Sequence, residues 1–344
     1  MTTVNAMGMG RWIANVERSL ELARLRRAGD TVPEHFRIEC YGGHGGPRGV
    51  VVRGRVLDNR PPTAATEGEG VGAAARRAVG SFLTRELPGV PLRVTVGGAQ
   101  VETVSDDDGY FLVRLPAAGD LTSPWTTGSV ALAGAYRGLT GSHSTAVRVR
   151  VPAASAAFGI ISDLDDTVIR TGVQRAGQMV LQTLVGSELT RTPFPGAAEL
   201  YRDLAAAANP MFYVSSSPWN LHAFLTAFLD HHGFPPGPLM LRDLLGTSAG
   251  REQKHGRIRE ILDLHPDLRF VLIGDSGEKD PEIYADIVRT HPEQVIAVYI
   301  REVRLDPGDG RVEDVARDWS GDVPFVLAAD SDVVRAHAAT LGLL

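Results

Sequence analysis

The chain has 344 residues, with 41 acidic against 35 basic side chains and a formal net charge of −6 at pH 7. That length exceeds one ordinary domain and suits two, and 43% hydrophobic with 22% charged content is an ordinary soluble globular composition. The acidic balance gives no overall basic field to recommend nucleic acid as a partner; the lone cysteine, Cys40, excludes an intramolecular disulfide framework and a multi-thiolate zinc site, and fits a reducing compartment.

No run approaches the roughly 18 apolar residues of a transmembrane helix. The N-terminus lacks a basic region followed by a long apolar core, so no secretory signal is expected and the expected location is cytoplasmic. From residue 11 to 28, Trp12, Ile13, Val16 and Leu20 fall at helical spacing. Two readings stand for this N-terminal segment (1–33): a helix packed on its own protein, or one resting peripherally on a membrane surface, with Arg24, Arg26 and Arg27 on the lipid side of the argument.

Between 34 and 153 short stretches alternate apolar and polar residues, among them "GVVVRGRVL", "PLRVTVGG", "YFLVRLP" and "STAVRVRVP", with Gly, Pro and Asp between them. That pattern predicts a β-sandwich domain. "SDDDGYF" (105–111) reads as an acidic turn feeding a strand, with a calcium site as the sharper alternative. "NRPPTAATEGEG" (59–70) reads as a loop, and "AAARRAVGSFLTREL" as a helical insertion or crossover.

From 154 to 344 strands alternate with helices. The apolar runs "FGIIS", "MFYVS", "FVLIG" and "VIAVYI" read as buried strands, separated by helical patterns such as "AAELYRDLAAAA" and "KHGRIREILDLH". Such alternation predicts an α/β Rossmann-like domain with a parallel sheet covered on both faces. In such sheets ligands gather at the carboxyl ends of the strands. After the first strand stand Asp163, Asp165, Asp166 and Thr167; after the second, Ser215, Ser216 and Ser217; after the third, Asp275, Glu278 and Asp280. Lys254 opens the helix before the third strand.

Like charges this close repel, so a cation is expected among them. Asp163, Asp275 and Asp280 make a hard oxygen site suited to Mg²⁺. Ser215 and the backbone N–H groups after it can donate to phosphate oxygens. Lys254 can balance negative charge on phosphate and on Asp163. An ionised Asp163 then suits a nucleophile, and Asp165 the acid that protonates the leaving oxygen.

These residues resemble the haloacid dehalogenase superfamily of phosphotransferases. "DLDDT" is similar to its first motif, Ser215 to the second, Lys254 to the third and "GDSGEKD" to the acidic fourth. The resemblance implies a Rossmann-like fold, Mg²⁺ and an aspartyl-phosphate intermediate. It makes Asp163 the nucleophile and Asp165 the general acid/base, with the Asp165 backbone carbonyl on the metal. A narrower resemblance, carried by "SDLDDTVIRTGV", "RTPFPG", "YVSSSPWNL", "GPLMLRD" and "LIGDSGEKDPEIY", is to the actin-patch-associated phosphatidate phosphatase family, related to the lipins. It implies hydrolysis of phosphatidate to diacylglycerol and phosphate. Where that family often carries an amide, in the middle of S-x-S-P-W, this chain has Ser216, assigned with Ser215 to the phosphate.

The segment from 168 to 210 is short and makes a small helical cover, leaving room for a bulky substrate. Trp219 and Phe194 either face that mouth or belong to the core. The expected function is an Mg²⁺-dependent phosphatase acting on phosphatidate. The rivals are a phosphatase for soluble phosphate esters or phosphoproteins, and a non-catalytic phosphatidate-binding module; retention of both Asp163 and Asp165 speaks against the last.

Overall fold

The computed structural model describes residues 31–60, 85–117, 119–169, 193–242, 250–302, 319 and 321–344, with backbone only at 207 and 250–253. The helix expected over 11–28, most of 59–87 and most of the 168–210 connection lie outside these residues. Among the described residues no helix is long and apolar enough to cross a membrane.

Among the described residues seven strands come first: β1 (Phe36–Gly46), β2 (Gly49–Asp58), β3 (Pro91–Val96), β4 (Ala99–Val104), β5 (Tyr110–Leu115), β6 (Trp125–Leu132) and β7 (Ser144–Arg150). Their two-residue period is plain in β5, where Phe111, Val113 and Leu115 are buried while Leu112 and Arg114 face water. The two facing layers of a sandwich are not what forms. Hydrogen bonds join all seven strands into one sheet, ordered β4-β3-β6-β7-β1-β2-β5. A flat sheet of that order would hold its edge strands roughly 29 Å apart. The short step from Val104 to Tyr110 spans at most about 21 Å. The sheet therefore curls until β4 and β5 approach one another, around a core that includes Val52, Val94, Val113 and Val147. Period-two patterning marks which residues face inward, and one curled sheet satisfies it as well as two flat ones. "SDDDGYF" is the turn joining those edges: the Asp106 carboxylate accepts from the N–H groups of Asp108 (3.0 Å) and Tyr110 (2.8 Å).

The second half is a parallel six-stranded sheet ordered β10-β9-β8-β11-β12-β13. Its strands are β8 (Gly159–Ser162), β9 (Met211–Pro218), β10 (Leu239–Arg242), β11 (Phe270–Asp275), β12 (Val295–Arg301) and β13 (Phe325–Ala328). Five helices accompany them among the described residues: α1 (Ala197–Leu204), α2 (His222–His231), α3 (Gly250–Leu264), α4 (Asp280–Thr290) and α5 (Ser331–Thr340). Successive strand residues go to opposite faces. Ile160, Tyr213, Val271 and Tyr299 pack with α1, α2 and α5; Ile161, Phe212, Leu272 and Val298 pack with α3 and α4. Both faces are thus covered, which is why the strands read as unbroken apolar runs. The chain runs outward from β8 through β9 to β10, then crosses back to β11 on the other side of β8. That reversal opens a crevice at the carboxyl end of β8.

The curled sheet is seated against α3. Glu260 accepts from Arg53 and, at 2.6 Å, from Arg114, and Arg48 reaches the Asp263 carbonyl at 3.3 Å. Burial alone would push the Glu260 carboxyl up; His44 and Arg53 bring it down to about 2. Beside it the buried rings of His44 and His265 lie 5.8 Å apart. Burial lowers both, His265 to about 3, so His265 is neutral when folded. The unfolded chain protonates them below about pH 6.5. For His265 the unfolded chain then binds more protons than the native state, so stability is expected to fall as pH drops from 6.5 toward 3, by up to about 1.4 kcal/mol per pH unit. Urea unfolding of His265→Phe between pH 7 and 5 should show a shallower loss than the native chain; an identical slope would contradict this.

Candidate active site

The crevice is built from the ends of β8, β9 and β11. β8 stops at Ser162, and the Asp163 N–H donates to the Ile273 carbonyl at 2.9 Å, holding the strand end against β11. The chain then folds tightly on itself. Val168 and Ile169 N–H groups both donate to the Leu164 carbonyl, and Asp166 N–H to that of Ile169. Asp166 sits at φ 51, a left-handed conformation that Asp adopts more readily than most residues. Of the three crowded acids, Asp163 and Asp165 enter the site and Asp166 shapes the turn.

Asp163 is wholly buried. Its Oδ1 accepts from Lys254 Nζ at 2.8 Å, and Lys254 also donates to Asp280. Its Oδ2 is buried and takes no hydrogen bond among the described residues. Burial works against the Lys254 charge, but Asp163 and Asp280 outweigh it and hold the ammonium well above its ordinary pKa. Burial, with Asp280, Glu278 and Asp275 nearby, raises the Asp163 carboxyl well above the ordinary range despite Lys254. Asp280 also goes up, because burial outweighs its ion pair.

Asp165 is partly exposed, at the next turn of the same loop. Its Oδ2 accepts from the Ser215 and Ser217 hydroxyls, each at 2.8 Å. Burial of its carboxyl atoms and the charge of Glu278 raise it, against those two hydrogen bonds. A raised carboxyl that remains partly accessible suits a proton donor. Residues i and i+2 of a strand share a face, so Ser215 and Ser217 turn together toward Asp165. Ser216 points the other way and donates to Glu278 at 3.1 Å.

Asp275 ends β11 and organises the following loop: its Oδ1 accepts from the N–H groups of Gly277 (2.6 Å) and Glu278 (3.0 Å). Its Oδ2 lies 3.5 Å from the Thr167 hydroxyl. A side chain at Gly274 would collide with Asp280 and Tyr284, so glycine there admits Asp280 to the site.

The arrangement fits a hard cation. Asp163, Glu278 and Asp280 offer carboxylate oxygens within 4.8 Å of one another, and the buried, unbonded Asp163 Oδ2 is an oxygen lacking a partner. Contacts link Asp163, Asp165, Ser215, Ser216, Lys254, Asp275 and Asp280 around one crevice. Two residues there were named from the sequence without a role: Ser217, which strand parity pairs with Ser215, and Glu278, inside the acidic run. Trp219 is core, stacked on Tyr41 of the curled sheet; Phe194 is half-buried beneath Arg301, whose guanidinium lies 4.3 Å from its ring.

The profile of the family described as "Phosphatidate phosphatase APP1, catalytic domain" matches residues 158–302. The chain is 32% identical over 151 residues to phosphatidate phosphatase APP1 of Saccharomyces cerevisiae, covering 42% of this chain and 26% of that protein. It is 31% identical over 156 residues to an uncharacterized protein of Schizosaccharomyces pombe, covering 43% and 26%. The chain therefore spans about a quarter of the length of these curated relatives. Among solved structures, a HAD family hydrolase from Deinococcus radiodurans R1 with bound phosphate and sodium overlaps 55% of this chain and 98% of its own, at 18% identity and TM-score 0.35. The class C acid phosphatase from Bacillus anthracis overlaps 54% and 80%, at 17% identity and TM-score 0.30. Over residues 158–302 the chain is similar to the catalytic domain of the phosphatidate phosphatase APP1 family.

Proposed function

We propose that the chain is an Mg²⁺-dependent phosphomonoesterase working through an aspartyl-phosphate on Asp163, with phosphatidate as its leading substrate. The observation that carries this is the Asp163 carboxylate: one oxygen held by Lys254, the other buried and unbonded, beside an Asp165 carboxyl fixed by two serine hydroxyls. Asp163 attacks phosphorus as the bond to the leaving oxygen breaks, and Asp165 gives that oxygen its proton. Water then attacks the aspartyl-phosphate; Asp165 takes its proton, phosphate leaves and the Asp163 carboxylate returns. Ser215, Ser216 and Lys254 are assigned to the phosphate oxygens. Mg²⁺ would be held by Asp163 and Asp280, with Asp275 and the Asp165 carbonyl as the family resemblance implies, and would neutralise charge on the phosphate.

The named activity of the yeast relative favours the lipid substrate. Hydrolysis of soluble phosphate esters or phosphoproteins is the second reading, favoured by the acidic net charge of −6. A cytoplasmic protein meeting the membrane peripherally follows from the first reading. The test is phosphate release from mixed liposomes containing phosphatidate, beside glycerol phosphate and nucleoside monophosphates at matched concentration. Faster hydrolysis of the soluble esters without liposome binding would select the second reading. Liposome binding without any release would select the binding module.

Chelation gives a separate expected result. EDTA should abolish turnover and added Mg²⁺ restore it, since converging carboxylates exceed the one buried ammonium among them. Undiminished release after thorough chelation would remove the metal from the mechanism.

A further inference from the structure

From the curled β sheet, Tyr41 packs into the α/β core beside Trp219, close in sequence to the serines of the crevice. Its ring stacks on that of Trp219, centroids 4.6 Å apart and planes within 8°. The His222 ring lies 4.9 Å from Tyr41 and 6.1 Å from Trp219, and the Arg257 guanidinium 5.6 Å from the Trp219 ring. Tyr41 is buried, and its neighbours are the α/β core rather than the core of its own sheet.

The backbone explains how it gets there. The pairing of β1 with β2 runs regularly to Cys40 opposite Gly54, then resumes at Gly42 opposite Arg53, leaving Tyr41 without a register partner. Gly42 is at φ 86, open to glycine at little cost, and an added Cβ would stand 3.3 Å from the Arg148 carbonyl. This is a β-bulge, and a bulge re-aims a side chain out of its strand's alternation.

Trp219 is two residues beyond Ser217 and four beyond Ser215, the two hydroxyls that hold Asp165. Pro218 joins them with φ −75 in extended conformation, a stiff link between ring and serines. The geometry points to Tyr41 as a positioning residue: by clamping Trp219 it fixes the Ser215–Ser217 segment, and through it the orientation of Asp165. The curled sheet is then a working part of the crevice and not an appended module.

The catalytic half of this inference rests on the phosphatase reading above; the structural half does not, and the test separates them. The 344-residue chain is compared with Tyr41→Leu, which keeps apolar bulk but loses stacking, and with Tyr41→Phe, which keeps the stack. Hydrogen exchange is followed in peptides covering 213–221 and, as a control, 270–275. Tyr41→Leu should raise exchange in 213–221 about tenfold over the control peptide, and Tyr41→Phe should restore the native pattern. In turnover, glycerol phosphate needs a proton on its leaving oxygen and p-nitrophenyl phosphate scarcely does. Tyr41→Leu should therefore lose about tenfold more activity on the former than on the latter, with recovery in Tyr41→Phe. A general loss of folded protein would lower both substrates equally and raise exchange everywhere, and either result overturns the inference, as does unchanged exchange in 213–221. No release of phosphate by the native chain from either ester would sink the phosphatase reading, and the exchange comparison alone then decides the role of Tyr41.

Discussion

Asp163→Asn is expected to lower phosphate release by roughly 10³-fold or more, because an amide is neither an anionic ligand nor a useful nucleophile. The fold should survive. Burial and the neighbouring acids already disfavour the ionised Asp163, so a neutral isostere relieves that repulsion while Lys254 keeps Asp280. The expected thermal midpoint in chelator is therefore equal to or above that of the native chain. Substantial activity in a variant that is folded by circular dichroism would contradict the covalent route.

Lys254→Met should be costly in both respects. It removes the ammonium that both Asp163 and Asp280 accept from, leaving two buried carboxylates unpaired. Breaking a buried pair from one side costs about 3–5 kcal/mol. The direction with pH follows. Without Lys254 the two carboxyls titrate higher still in the folded state than in the unfolded chain, so the native state binds more protons above about pH 4. The deficit should be smaller at pH 5 than at pH 8 and should shrink further when Mg²⁺ is added. In urea unfolding, a deficit below 1 kcal/mol, or one independent of pH, would show that Lys254 is not the counter-charge of this pair. The double variant with Asp163→Asn should be less destabilised than the sum of its parts, since the two residues share one interaction.

How much of this was legible in the sequence depended on how local each signal was. The acids after "FGIIS" and "FVLIG" were legible because a parallel strand announces its own carboxyl end, and groups there must share one edge. The division between Ser216 and its two neighbours was also within reach, since strand parity alone separates 215 and 217 from 216. The curling of the first sheet was not read from its alternation, because inward-facing residues look the same in one layer or two; the short turn between β4 and β5 was the constraint that decided it. Least legible was Tyr41. A bulge changes the facing of one residue without disturbing the pattern around it, and its partner lies 178 positions away in Trp219. Asp166 was named among the strand-end acids and given no role; its left-handed backbone, which makes it part of the turn, leaves no mark in the composition.

Helix α3 offers Lys254 to the crevice and Glu260 to the arginines of the curled sheet. Six residues of α-helix set those two points roughly 9 Å apart along one axis. A rod pinned twice can neither roll nor slide unless both pins yield. The spacing between a positively charged anchor inside one domain and a negatively charged anchor facing the other is thus a ruler written into the helix. Any chimera that supplies this α/β half with a foreign N-terminal partner must present its own cations to Glu260 at the same height, or Lys254 will be carried out of register with the acids it serves.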